Sequence, residues 1–134
     1  GKIWILWKCS IVVTIIRHSE QFVLLKVGGS TPFYICFVYG ANKMGERKRM
    51  YDQMVGSLVL DLPVAVLEDF NVISSPNEAS NFVGILEGMN DFNAWITGNE
   101  LDDHIVAGPF FTWHTNQVDG PIAKRLDRCF VNSH

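Results

Sequence analysis

The chain has 134 residues, a formal net charge of −3, and 48% hydrophobic, 12% aromatic and 19% charged residues. This composition suits one folded domain, or a piece of one, and excludes a disordered polar chain. The mildly acidic balance gives no bulk attraction to nucleic acid, so any phosphate contact would have to be built from local groups.

Four short runs rich in Ile, Val, Phe, Tyr and Trp open the chain at 3–7, 11–16, 22–27 and 33–39, separated by polar or Gly/Pro punctuation. They predict four consecutive, mostly antiparallel strands. From 44 to 60 the apolar residues Met50, Met54, Leu58, Tyr51 and Val55 take helical spacing, and Glu46-Arg47-Lys48-Arg49 reads as a solvated face. Pro63 restarts a buried strand at 64–67. Ser75-Pro76-Asn77-Glu78 has the form of a capped turn, with Glu78 reaching back. A second amphipathic helix is predicted over 82–96, weakened by Gly84 and Gly88, and strands follow at 101–106, 110–114 and 126–131. The order of strands, helix, strand, helix, strands predicts one layered α/β domain.

No apolar run reaches the roughly 18 to 20 residues that span a bilayer. The apolar opening at 1–16 is interrupted by Lys2, Lys8, Cys9 and Ser10, and no small-residue cleavage site follows it, unlike a signal peptide. Cys9, Cys36 and Cys129 lack metal or redox spacing and read as buried, reduced thiols of an intracellular protein. His18, His104 and His114 show no mutual spacing for a metal and read as surface or loop residues.

The stretch Val66-Leu67-Glu68-Asp69-Phe70-Asn71-Val72-Ile73-Ser74-Ser75 poses the chemical question. Side chains on a strand alternate, so Asp69 and Asn71 would project together while Phe70 packs behind. A carboxylate and a carboxamide aimed the same way look like the equipment of a site. The other reading is a strand closing into a turn, since Asp, Asn and Ser all favour turns. The stretch alone leaves both open.

Four short motifs occur in one order: Tyr39-Gly40-Ala41-Asn42, Glu68-Asp69-Phe70-Asn71, Phe111-Thr112-Trp113 and Arg125-Leu126-Asp127-Arg128. In that order and rough spacing the chain resembles the endonuclease/exonuclease/phosphatase superfamily, which includes deoxyribonuclease I and the apurinic/apyrimidinic endonucleases. It is more similar still to the endonuclease domains of plant non-LTR (LINE-type) retroelements, over Asp69 to Glu78, Phe111 to Gln117 and Pro121 to Arg128. The resemblance implies an α/β fold, a four-layer α/β/β/α sandwich of the deoxyribonuclease I type, truncated here at both ends. It also implies Mg²⁺-dependent cleavage of DNA phosphodiesters. Carried over, Tyr39 would hydrogen-bond a phosphate oxygen, and Asp69 would orient or deprotonate the attacking water or help hold the metal. Asn71 would donate to the phosphate, and Asp127 would buttress a catalytic His. Such residue types suit a transition state that gathers negative charge on oxygen. Without the resemblance, Asp127 between Arg125 and Arg128 reads equally as a surface ion pair, Tyr39 as a core aromatic, and Trp113 as core or as a platform for a base.

The superfamily's metal-binding Glu would lie before the first residue and its closing Ser-Asp-His beyond the last, and Asn132-Ser133-His134 lacks the Asp. The Gly that ordinarily precedes the Asp-x-Asn pair is Glu68 here. A carboxylate on the Phe70 face would be costly unless paired, which predicts a shifted local backbone or a relaxed constraint. Two functions therefore stand: a segment of a DNA endonuclease, inactive alone, or a non-catalytic retroelement-derived remnant that binds nucleic acid or protein. The expected partner is DNA, with no membrane and no specific protein partner, in an intracellular setting that a DNA substrate would make nuclear.

Overall fold

The computed structural model describes residues 3–58, 61–81, 86–104, 107–117 and 120–134. The elements run β1 (Val13–His18), β2 (Phe22–Val27), β3 (Phe33–Tyr39), α1 (Met44–Met54), β4 (Val64–Asp69), a 3-10 turn (Pro76–Glu78), α2 (Leu86–Gly98), β5 (Asp102–Asp103), β6 (Trp113–Gln117), β7 (Gly120–Lys124) and β8 (Asp127–Val131). Six strands form one mixed sheet in the order β1-β2-β3-β4-β8-β5, and β6 and β7 form a separate hairpin. Among the described residues only β3 and β4 pair in parallel, because α1 carries the chain back between them; the other pairings are antiparallel.

Alternation assigns the core. Phe22 and Leu24 of β2, Cys36 and Val38 of β3, Val64 and Val66 of β4 and Phe130 of β8 share one face, covered by Met50, Tyr51 and Met54 of α1 and by Phe92 and Trp95 of α2. Phe70 is fully buried among them, its ring 5.2 Å from Phe92 and 5.2 Å, edge-on, from Phe130. Burying an aromatic of this size is worth about 1.5–3 kcal/mol, so the residue between Asp69 and Asn71 anchors their backbone in the core. Helices on a mixed sheet are the half of an α/β/β/α sandwich that the described residues supply.

Several elements differ from expectation for identifiable reasons. Segment 3–7 has strand composition but forms no strand, and Trp4 and Leu6 are 87% and 91% exposed. Composition supplies propensity, but a strand also needs a partner's hydrogen bonds. The first helix stops at Met54 rather than 60, since Val55 leaves helical geometry (φ −54°, ψ 128°) and Gly56 takes φ +70°; Val55 is exposed, and residues 59–60 lie outside the described residues. The second helix is placed at Leu86–Gly98, and residues 82–85, where it was expected to begin, lie outside them too. Of the strand expected at 101–106, Asp102–Asp103 pairs with β8, while 105–106 are not among the described residues. The strand expected at 110–114 is placed at Trp113–Gln117, where it has β7 to pair with, Trp113 opposite Lys124 and Gln117 opposite Gly120.

Among the thiols, Cys36 is buried and its pKa is pushed up to about 12 by desolvation, and burial also raises that of Cys129. Cys9 is exposed, contrary to the buried reading, because it lies outside the sheet. No helix is long and apolar enough to cross a membrane among the described residues.

Candidate active site

Parallel pairing brings the carboxyl ends of β3 and β4 level. Tyr39 pairs with Asp69 across one side of β4, and Asp69 pairs with Asp127, the first residue of β8, across the other. Tyr39, Asp69 and Asp127 therefore stand abreast on three adjacent strands. Tyr39 and Asp127 are exposed and Asp69 is half-buried. The carboxyl ends of strands in open α/β sheets are where such folds bind ligands.

Past Asp69 the chain leaves the sheet. Asn71 takes φ +52°, a left-handed conformation that Asn tolerates. Its backbone amide donates to Asp69 Oδ1 at 2.8 Å, and its Nδ2 donates to the Gly40 carbonyl at 2.7 Å. The strand alternation expected to carry Asn71 beside Asp69 thus ends at Asp69. The turn reading accounts for the backbone after Asp69.

The four motifs are stitched together at this point. The Gly40 amide donates to the Asp69 carbonyl at 2.7 Å, and a Cβ on Gly40 would lie 2.4 Å from the Phe70 carbonyl oxygen, so only glycine permits this approach. The Phe70 amide donates to the Leu126 carbonyl at 3.1 Å. The Thr112 hydroxyl accepts from the amides of Leu126 and Asp127, each at 3.1 Å, fixing the start of β8. Arg47 corrects the solvated-face reading: it is 8% exposed and donates to the carbonyls of Ala41 and Asn42 at 2.7 and 2.8 Å, holding the loop after Tyr39. Lys48 and Arg49 do face solvent. A buried arginine inside a charged run carries no sequence signal beyond its i, i+3 and i, i+4 spacing to Met50 and Tyr51.

Burial pushes the Asp69 carboxyl above its ordinary range; the Asn71 amide pulls it back, and the charges of Asp127 and Glu68 push it up again. Glu68 is exposed and holds φ +94°, in the region that favours glycine. The strained residue occupies the position where the resemblance has Gly, and its exposure corrects the expectation that it shares the buried face of Phe70. Arg125 and Arg128 do not pair with Asp127. They close a ring with Glu78 and Asp103: Arg125 reaches Glu78 at 3.3 Å and Asp103 at 3.0 Å, while Arg128 reaches Asp103 at 2.6 Å and binds Glu78 directly. Glu78 also accepts the amides of Ser74 at 2.7 Å and Ser75 at 3.3 Å, the reach-back expected of the capped turn. Burial would raise the Glu78 pKa, but Arg128 and Ser74 outweigh it and hold it below the ordinary range. Trp113 is 40% exposed on the hairpin under Lys124 rather than in the core. His18, His104 and His114 are exposed, and among the described residues no group of three or more His, Cys, Asp or Glu could hold a metal ion.

No protein-family model matches the chain, and no curated protein does either. Solved structures do. The endonuclease domain of TRAS1, a telomere-specific non-LTR retrotransposon, superposes with a TM-score of 0.64 at 12% identity, over 96% of this chain and 58% of that one. A humanised D. rerio TDP2 carrying 14 mutations gives 0.56 at 16% identity, over 92% and 52%. Truncated TDP2 from Caenorhabditis elegans gives 0.52 at 14% identity, over the same shares. The chain has the endonuclease/exonuclease/phosphatase fold. It spans a little over half the length of these relatives. The part that Gly40 and Thr112 play in joining β3, β4 and β8 carries no signal in the sequence.

Proposed function

We propose that Tyr39, Asp69, Asn71 and Asp127 are this chain's share of a phosphodiester-cleaving site in a DNA endonuclease of the plant non-LTR (LINE-type) retroelement kind, catalytically incomplete in this chain alone. The observation that supports it is the row of Tyr39, Asp69 and Asp127 in register at the strand ends. Tyr39 donates its hydroxyl to a non-bridging phosphate oxygen. Asp69, with its raised pKa, is a stronger proton acceptor than an ordinary Asp and orients or deprotonates the attacking water. Asn71 carries two amide hydrogens; one holds the Gly40 carbonyl and the other is directed to the phosphate. Asp127 orients a His from outside the chain.

Mg²⁺ is the ion the resemblance implies. Asp69 and Asp127 offer two carboxylates, one already accepting the Asn71 amide, and no described third ligand joins them. The residues present do not fit the ion by themselves. A second reading, a domain that binds without cutting, is favoured by Glu68, whose φ of +94° replaces an expected glycine with a strained carboxylate.

The test is nicking of supercoiled plasmid in Mg²⁺. Chain and Asp69→Ala variant should both stay at background, since each missing acid–base or electrostatic group is worth about 10²–10³ in rate. Nicking by the chain that Asp69→Ala abolishes would contradict the incomplete site. A longer reading frame that supplies the upstream Glu and the Ser-Asp-His should nick and lose about 10²-fold or more on Asp69→Ala; equal nicking by both forms would contradict the assignment of Asp69.

A further inference from the structure

Where α1 and α2 lie side by side, a groove of about 270 Å³ opens in the helix layer. The two helices run in the same direction. A Cβ on Gly88 would lie 3.8 Å from the Met44 sulfur, Lys48 reaches Asp91 at 3.5 Å, and the Tyr51 and Trp95 rings stack 5.5 Å apart. Their carboxyl ends therefore finish together, and Val55 and Gly98 line the groove there. Because α1 runs back against β3 to reach the parallel β4, these ends lie at the end of the sheet away from the row.

The groove is negative and holds an unused donor. The negative ends of two helix dipoles meet at it, and neither helix has a basic residue in its last turn. Asp52 stands in the last turn of α1, an unfavourable place for a carboxylate, and makes no ion pair among the described residues. Asp91 has Lys48 alone. Trp95 lines the same groove at 5% exposure, and its buried indole N–H has no acceptor among the described residues. A buried donor left unpaired costs about 1–3 kcal/mol, so an occupant that brings an acceptor gains from it.

These demands exclude most ligands. The charge repels an anion. A bare metal ion would find two carboxylates, and no third His, Cys, Asp or Glu joins them among the described residues. A polyamine brings cations but no acceptor for the indole. An arginine residue in a peptide brings both: a guanidinium whose five donors serve two carboxylates and the helix ends, and a neutral main-chain carbonyl. The volume falls just under the roughly 300–1,000 Å³ of sites that enclose whole small molecules, and suits a single residue.

We propose that the α1–α2 groove is a docking site for a protein partner that seats one arginine in it. The guanidinium lies at Asp52 and Asp91, and the residue's own carbonyl accepts the Trp95 indole N–H. The site is separate from the row and does not depend on the reading given to it.

The test is NMR of the indole N–H groups of Trp4, Trp7, Trp95 and Trp113 during titration with the blocked tripeptide Ala-Arg-Ala. The Trp95 signal should move downfield and saturate while the other three stay in place. Blocked Ala-Leu-Ala and Ala-Glu-Ala should not move it. Asp52→Asn, at an exposed position, should weaken the arginine peptide about 10-fold. Glu20→Gln removes an equal charge from the exposed β1–β2 turn and should change binding less than 2-fold. No saturable movement of Trp95, equal movement with the leucine or glutamate peptide, or equal weakening by the two variants would overturn the proposal. So would a long-lived water on the Trp95 indole that persists when peptide is added. Movement of Trp95 with protein concentration alone would assign the groove to a second copy of the chain and overturn it too.

Discussion

Asp69 and Asp127 are neighbours on β4 and β8; Glu78 and Asp103 meet around Arg125, just before β8, and Arg128, on it. Each pair brings together two carboxylates, at least one of them partly or fully buried. In the ring each carboxylate takes two guanidinium contacts, the charges sum to zero, and the Glu78 pKa is lowered. In the row Asp69 accepts an uncharged amide, has Asp127 and Glu68 beside it, and its pKa is raised. Nothing in the residue types separates the two pairs; their partners do. The ring holds β8 and β5 to the Ser74–Glu78 turn, whereas in the row the neighbouring carboxylates repel one another.

Arg128→Leu should break the ring most severely. Its guanidinium is fully buried over the Phe92 ring, and its loss leaves Glu78 and Asp103 with Arg125 alone. Removing one partner of a buried ionic network typically costs about 3–5 kcal/mol. Urea denaturation should show a loss of that size, and a change under 1 kcal/mol would mean that the ring is no more than a surface pair.

A smaller effect of opposite sign is expected next to the row. Glu68→Gly relieves a non-glycine residue held at φ +94°, a conformation that costs about 1–3 kcal/mol, less about 0.5–1 kcal/mol for the added freedom of glycine. The variant should be more stable by about 1 kcal/mol, and the Asp69 pKa should fall because one like charge is gone. Destabilisation would show that Glu68 makes a favourable contact that outweighs its backbone.

The smallest shift separates the pairs by sign. The Glu78 pKa is below its ordinary 4.5, so its contribution to stability is fully present above 4.5 and is lost as pH falls through its folded value. That of Asp69 lies above its ordinary 3.8, so its charge opposes folding at neutral pH, and the opposition fades as pH falls through its folded value. Asp69→Asn keeps an oxygen for the Asn71 amide and should stabilise the chain by about 1 kcal/mol or less at neutral pH. Thermal melts should show that gain vanishing below pH 3.8; a loss at neutral pH would contradict the row's electrostatics.

How much of this was legible in the sequence follows from how local each feature is. β2, β3 and β4, Met50, Tyr51 and Met54 on the first helix and Met89 and Phe92 on the second were readable because period-2 and period-3.6 burial is written in adjacent residues. Segment 3–7 was misread because a strand also needs a partner elsewhere in the chain. Asp69, Tyr39 and Asp127 could be named from their motifs, yet their register depends on the parallel return through α1. The ring was invisible, since Glu78 and Arg128 are fifty positions apart and nothing in Arg125-Leu126-Asp127-Arg128 says that both arginines turn away from the acid between them. Arg47 was hidden for a similar reason: its partners are carbonyls, which every residue has.

Site-resolved carboxyl titration by NMR tests the central contrast most directly, because Asp69 and Glu78 can be followed together in one sample. Asp69 should titrate above the ordinary range for Asp and Glu78 below that for Glu. Glu78 titrating at or above its ordinary value, or Asp69 at or below its own, would contradict the distinction between a neutralised ring and a row of mutually repelling carboxylates.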